Sequence, residues 1–199
     1  MRWWVFLPFA FLVAALDAAL MPAFAVWGHV PHLVPVLLAF VLLYASREAA
    51  MGGALVLGLL ADVASPALVA GADGPAAAPI LGPHMLAYAG AAWAVLEMRT
   101  WLYRRNTLTL AFTAAVVAVL VSLGFLAVAG VRAAYADDYP LWGGGRAITA
   151  LGADLLDALW TAVLAVPAGW LLQRTLGLWA FATAGPRFAF DPRSARAGG

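Results

Sequence analysis

Four aspartates interrupt long apolar segments of this chain, and they are the residues best placed to do chemistry. They are Asp17, Asp62, Asp154 and Asp157. A charged side chain at the centre of a membrane helix costs at least about 2.5–3.5 kcal/mol, so such residues usually face the protein interior. Asp154 and Asp157 are three residues apart and share a helix face. Together the four carboxylates predict a polar site that could hold a cationic ligand or a proton.

The same carboxylates also have a structural interpretation, which the sequence favours. They could hydrogen-bond one helix to another, or reach backbone groups freed near prolines. Asp62 is the clearest case, because Pro66 removes the hydrogen bond that the carbonyl of residue 62 would accept. We expect Asp62 to hold the outer end of its helix against the next one, with His84 or the amides of residues 70–79 as partners. Substitution by Asn, which keeps the size, is then expected to be tolerated.

Small residues recur at four-residue spacing in two of the apolar segments, which predicts close helix packing. They are Ala10, Ala14 and Ala18 in the first segment, and Ala54 and Gly58 in the third. Asp62 continues the second series, so its side chain is predicted to lie on the same helix face as Ala54 and Gly58.

The composition determines the environment of these segments. Of the 199 residues, 65% are hydrophobic and only 11% are charged, whereas soluble domains carry about 25% charged residues. Lipid must therefore surround most of the side chains, and the predicted fold class is all-α, a polytopic membrane helix bundle. The net charge of +1 gives no basis for nucleic-acid binding. The chain has no cysteine, which excludes disulfides, thiolate metal sites and cysteine nucleophiles.

Six apolar segments are long enough to cross a membrane. They lie at about 3–26, 31–46, 50–70, 80–98, 108–131 and 147–172. We expect the first to be retained as a helix rather than cleaved as a signal peptide, because it is long and contains Asp17. Residues 1–175 then form one six-helix domain. Residues 176–199 are predicted to form an interfacial segment followed by a disordered tail.

The arginines orient this six-helix arrangement, because cytoplasmic loops of membrane proteins carry an excess of basic residues. Nine of the 11 arginines fall on one predicted side, and two fall on the other. The nine are Arg2, Arg47, Arg99, Arg104, Arg105, Arg174, Arg187, Arg193 and Arg196, and the two are Arg132 and Arg146. Both chain ends are therefore predicted to be cytoplasmic. The four aspartates then lie at or beyond the midplane, toward the outer side.

No motif predicts catalysis, and we expect neither an enzyme nor a bound cofactor. The chain contains no HExxH metal motif, no glycine-rich phosphate loop followed by lysine, and no serine in a nucleophile-elbow pattern. His29, His32 and His84 lack the spacing of a metal site. We interpret His29 and His32 as interfacial or helix-capping residues. That leaves His84 as the histidine expected to meet the carboxylates.

A short series of motifs carries a family resemblance. Prolines begin the second segment, the third contains Gly-x-Leu-x-Asp, and the fourth begins with Leu-Gly followed by a Tyr. The residues are Pro31, Pro35, Gly58, Leu60, Asp62, Leu81, Gly82 and Tyr88. Over about residues 31–98 the chain resembles the MreD family of rod shape-determining proteins. It departs from the family in the 18 residues between Asp62 and Leu81, a longer segment than familiar members have.

The resemblance implies a function within the membrane. Members are small proteins of the bacterial cytoplasmic membrane, so this chain is expected to be a non-enzymatic scaffold of the cell-elongation complex. Besides membrane lipids, the implied partners are an MreC-like protein, the glycosyltransferase RodA with its transpeptidase, and indirectly MreB filaments. The family is also similar in fold to the substrate-binding subunits of energy-coupling factor transporters. The alternative function is therefore binding of a small vitamin or metal for such a transporter.

Overall fold

The structure is a computed structural model of the chain. It describes residues 1–64, 67–71, 74–78, 81–101, 106–133 and 146–181. Pro66, the segment between the fifth and sixth predicted spans that contains Asp137 and Asp138, and the predicted tail beyond residue 181 lie outside the described residues.

Helices of 12 to 29 residues make up most of the described chain. They are α1 (Trp3–Leu20), α2 (Leu33–Tyr44), α3 (Arg47–Ala64), α4 (Pro83–Met98), α5 (Thr107–Ala133) and α6 (Arg146–Arg174), followed by the four-residue helix α7 (Leu176–Trp179). Local signals agree with these bounds. Glu48 lies in the first turn of α3 and Arg174 in the last turn of α6, where their charges complement the helix dipole. Pro83 occupies the first position of α4, where a missing N–H costs nothing.

A small hairpin follows α3, where the sequence predicted that the third span continues to about residue 70. Helix α3 ends at Ala64. Strands β1 (Ala67–Gly71) and β2 (Gly74–Ala78) then pair antiparallel, with Ala67 opposite Ala78. The residue before a proline is disfavoured in the helical conformation, so Pro66 accounts for the earlier end of the helix. The hairpin was not predicted from the sequence.

Helix α2 runs through the centre of the bundle and contacts α1, α3, α5 and α6. Every residue from Val34 to Leu43 is buried. The helix has 12 residues and spans about 18 Å, whereas α5 and α6 have 27 and 29 residues. It is therefore too short to fill the bundle from end to end, and a cavity lies at the end where it begins.

The outward faces of the surrounding helices are apolar. In α1, Trp4 and Phe11 are 72% and 67% exposed, and Leu159 of α6 is 63% exposed. Three helical segments of the described chain are long and apolar enough to cross a membrane, namely Trp3–Phe24, Thr107–Val128 and Gly152–Arg174. Large exposed apolar side chains on long helices are what lipid requires. The predicted all-α membrane helix bundle is confirmed, and the number of spans stays a prediction.

The helix α7 packs into the bundle through Trp179. This side chain is fully buried, with its ring 5.1 Å from that of Phe9 and 5.3 Å from that of Phe40. The backbone N–H of Arg2 donates to the carbonyl of Trp179 at 3.0 Å. The described part of the predicted interfacial segment is therefore in contact with α1 and α2.

Candidate functional site

Asp62 caps the amino-terminal end of α4 from the neighbouring helix α3. Its Oδ2 accepts the backbone N–H groups of Gly82 at 2.7 Å and Met85 at 3.3 Å. Its Oδ1 accepts the backbone N–H and the Nδ1–H of His84, both at 2.9 Å. Because Pro83 has no N–H, one carboxylate satisfies the donors of residues 82 to 85. The Asp62 side chain is only 1% exposed, so these hydrogen bonds take the place of those that water would otherwise supply.

Two glycines make this contact possible. A Cβ on Gly58 would lie 2.5 Å from the Met85 Cα, so only glycine lets the first turn of α4 approach α3 this closely. Gly82 has a φ of +123°, a conformation that side chains rarely adopt. Gly58 and Gly82 therefore allow the close approach of α3 and α4, in which Asp62 caps the start of α4.

Asp17 makes a similar contact at the start of α2. Its Oδ1 accepts the backbone N–H of Leu33, and its Oδ2 accepts the Nδ1–H of His32 at 3.2 Å. Asp17 lies near the end of α1, just as Asp62 lies near the end of α3. In both helix pairs, an aspartate of the first helix caps the second and pairs with a histidine at its start.

The segment between α1 and α2 is also hydrogen-bonded to α6. Asp157 Oδ1 accepts the Nδ1–H of His29 at 2.9 Å and the backbone N–H of Val30 at 3.1 Å. The backbone N–H of His32 donates to the Thr161 hydroxyl at 2.9 Å. These bonds join residues more than 120 positions apart in the chain. All three histidines of the chain are thus paired with aspartates.

A cavity of about 600 Å³ lies at this end of the bundle. Helices α1 to α6 all contribute to its lining, and the first turn of α2 is part of it. The lining includes three of the predicted site carboxylates, Asp17, Asp154 and Asp157, together with His84. Asp62 touches the lining through His84. The structure therefore brings all the predicted polar residues into one region, with Asp62 behind the wall and the others on it.

The predicted small residues are divided between the helix contacts and this cavity. Ala10, Ala14 and Ala54 are buried in the core. Ala18 is exposed and lines the cavity together with Ala14. The α1 series therefore faces protein at Ala10, both protein and the cavity at Ala14, and the cavity at Ala18.

His29 and His32 are the polar residues whose partners sequence reasoning missed. Their position could have indicated a polar contact, because each lies close to the start of an apolar segment, where backbone N–H groups need acceptors. Nothing in the local sequence of either histidine identifies its acceptor, because Asp157 is 128 residues from His29.

The chemistry available at the site is that of carboxylate–imidazole pairs and hydroxyl groups. Within the described ranges, no group of three or more His, Cys, Asp or Glu side chains is placed to hold a metal ion. Carboxylates that face a cavity can accept hydrogen bonds from a cation or exchange a proton with it.

The bundle and its exposed apolar faces define an all-α integral membrane protein, with the histidines and the aspartates of its described helices gathered at one end. The chain belongs to the MreD family, the rod shape-determining protein MreD, whose family model matches residues 1–134. The predicted resemblance is thus confirmed and extends beyond the motif region. No curated protein and no solved structure matches the chain. The family assignment supports a role in rod-shape determination, and MreD is not a known enzyme family.

Proposed function

We propose that this protein is a non-enzymatic scaffold of the bacterial cell-elongation complex in the cytoplasmic membrane. The observation that carries the proposal is the match to the MreD family over residues 1–134. The scaffold acts by packing its membrane helices against those of partner proteins.

The distribution of exposed surface supports contacts within the membrane. Helix α1 buries Phe6 and Ala10 against the bundle and exposes Trp4, Leu7 and Phe11 on its other face. Helix α6 likewise exposes a row of large apolar side chains, among them Leu155, Leu159, Val163 and Trp170. Lipid or the helix of a partner can cover such faces, because helix association in membranes depends on van der Waals packing.

The proposed partners follow from the family's role in rod shape. They are an MreC-like protein, the RodA glycosyltransferase with its transpeptidase, and indirectly MreB. We expect the first of these to bind directly, and the others to belong to the same assembly.

Depletion and affinity capture test the proposal in the protein's own host. Depletion should change cell shape or slow growth, and a tagged full-length copy should capture an MreC-like protein. The control is an unrelated polytopic protein of the same membrane that carries the same tag. Normal growth and shape after depletion, together with no captured elongation protein, would contradict the scaffold function.

The transporter alternative has one observation in its favour, the cavity at the end of the bundle. The same capture experiment separates the two functions. A subunit of an energy-coupling factor transporter would retrieve a pair of ATPases with a membrane coupling protein instead of elongation proteins. The match to a shape-determining family favours the scaffold.

A further inference from the structure

The four aspartates around the cavity outnumber the histidines that pair with them. The chain has three histidines, and each pairs with one of Asp17, Asp62 and Asp157. Asp154 is the fourth aspartate of this region, and its hydrogen-bond neighbour is the hydroxyl of Ser122. No arginine or lysine is among the described residues that line the cavity. Asp154 is therefore the one of these four aspartates that forms no ion pair within the described residues.

Tyr88 provides a second and independent observation. Its side chain lines the cavity, and the residue is only 5% exposed. Among the described residues, its hydroxyl has no hydrogen-bond partner, whereas the other tyrosine of the described helices, Tyr44, has one. An unpaired hydroxyl in a cavity wall is therefore a group to which a ligand can bind.

The remaining walls suit the carbon body of a small molecule. Pro35, Val121 and Phe125 contribute apolar surface, and the Phe125 ring stacks on the His84 ring with centroids 4.6 Å apart. A volume of about 600 Å³ is in the range of small-molecule sites, which are mostly apolar with a few polar groups. The described residues offer no metal constellation.

We propose that the cavity binds a small organic cation through a primary ammonium group. The ammonium donates hydrogen bonds to the carboxylate of Asp154 and to the Tyr88 hydroxyl, since it has three donors and no acceptor. The carbon body of the ligand lies against Phe125. A free amine or the ethanolamine headgroup of a phospholipid can supply this chemistry. The site goes beyond the scaffold function and does not depend on it.

Calorimetric titration of the purified full-length protein in detergent tests the proposal, with ethanolamine and 1,4-diaminobutane as probes. The neutral 1,4-butanediol has nearly the same shape as the diamine and serves as the ligand control. We expect saturable binding of an amine and none of the diol. Asp154→Asn and Tyr88→Phe should each weaken binding about tenfold or more, because each removes a hydrogen bond to a charged group.

Two matched variants at the opposite end of the bundle are the protein controls. Glu97→Gln and Tyr44→Phe make the same chemical changes away from the cavity, and they should leave the affinity for the amine unchanged. Tyr88→Phe removes only the hydroxyl, so it tests the site independently of Asp154→Asn. The proposal is overturned if neither amine binds, if the diol binds as tightly, or if the cavity variants bind like the wild type.

Nanodiscs with and without phosphatidylethanolamine identify the source of the ammonium group. If the phospholipid lowers the apparent affinity for the free amine, its headgroup occupies the cavity. If the affinity is the same in both nanodiscs, the occupant is a free amine. Either result supports the ammonium site, provided that Tyr88→Phe weakens the binding.

Discussion

Asp62 commits both of its carboxylate oxygens to the start of α4, and each oxygen accepts two hydrogen bonds. A carboxylate has about four lone-pair sites in all. The structure therefore revises the expectation that Asn is tolerated at this position. An amide has one accepting oxygen, so its NH₂ group would face two N–H donors.

At the residue scale, we expect Asp62→Asn to lower the free energy of unfolding by about 1–3 kcal/mol, because it leaves buried donors unpaired. Asp62→Leu should be worse, since it removes every acceptor. Thermal unfolding of the purified protein in detergent measures both. The control is Asp154→Asn, which makes the same change at a half-exposed carboxyl and should alter stability little. If the Asn and Leu variants are both as stable as the wild type, Asp62 is not the cap of α4.

At the scale of elements, the junction of α3 and α4 depends on backbone contact. A Cβ added at Gly58 would clash with Met85 Cα, Met85 N and the His84 carbonyl oxygen. All three are backbone atoms, which cannot move aside as the end of a side chain can. By contrast, a Cβ on Gly90 in the same helix pair would meet nothing within 4 Å. Alanine substitutions at these two glycines test whether close helix approach or helix propensity dominates the effect on stability.

Gly58→Ala should destabilise the protein by about 1–3 kcal/mol, because the added methyl group forces α3 and α4 apart. Gly90→Ala should be neutral or stabilise it by up to about 1 kcal/mol, since alanine is the better helix former. Thermal unfolding of the two variants side by side gives the comparison. Equal stability of the two variants would show that the helices do not approach as closely as the structure has them.

At the scale of the whole molecule, the described charges separate toward opposite ends of the bundle. The start of α1 is joined to Trp179, and the Arg99 guanidinium donates to the carbonyl of Ala45 at 2.6 Å. Arg47 pairs with Glu97 at the same end. The Asp–His pairs lie at the other end, around the start of α2. The orientation that the arginines predict, with the basic end in the cytoplasm, stays a prediction.

Reporter fusions test the proposed six spans with both ends inside. Periplasmic-active and cytoplasmic-active reporters joined after Ala76, Arg105, Asp138 and Gly199 should show outside, inside, outside and inside in that order. The physical reason is that each successive junction follows one more crossing of the membrane than the junction before it, so the side alternates. A reporter after Gly199 that is active outside would contradict the six-span arrangement.

The sequence by itself determined that this is a helical membrane protein. A chain that is 65% hydrophobic and 11% charged has more apolar surface than a soluble fold of this size can bury. It also predicted that Asp62 needs hydrogen-bond donors and gave His84 as one candidate partner beside the amides of residues 70–79. These inferences rest on composition and on the free-energy cost of burying a polar group without a partner, which applies to any fold of the chain.

Only the tertiary structure decided which residues meet across the bundle. The His29–Asp157 pair, the unpaired Tyr88 hydroxyl and the full burial of Trp179 left no signal in local spacing. The central position of α2 is another example, because an apolar helix can face lipid or protein equally well. In a membrane, burial from water does not distinguish these two environments, so packing alone selects the inward face.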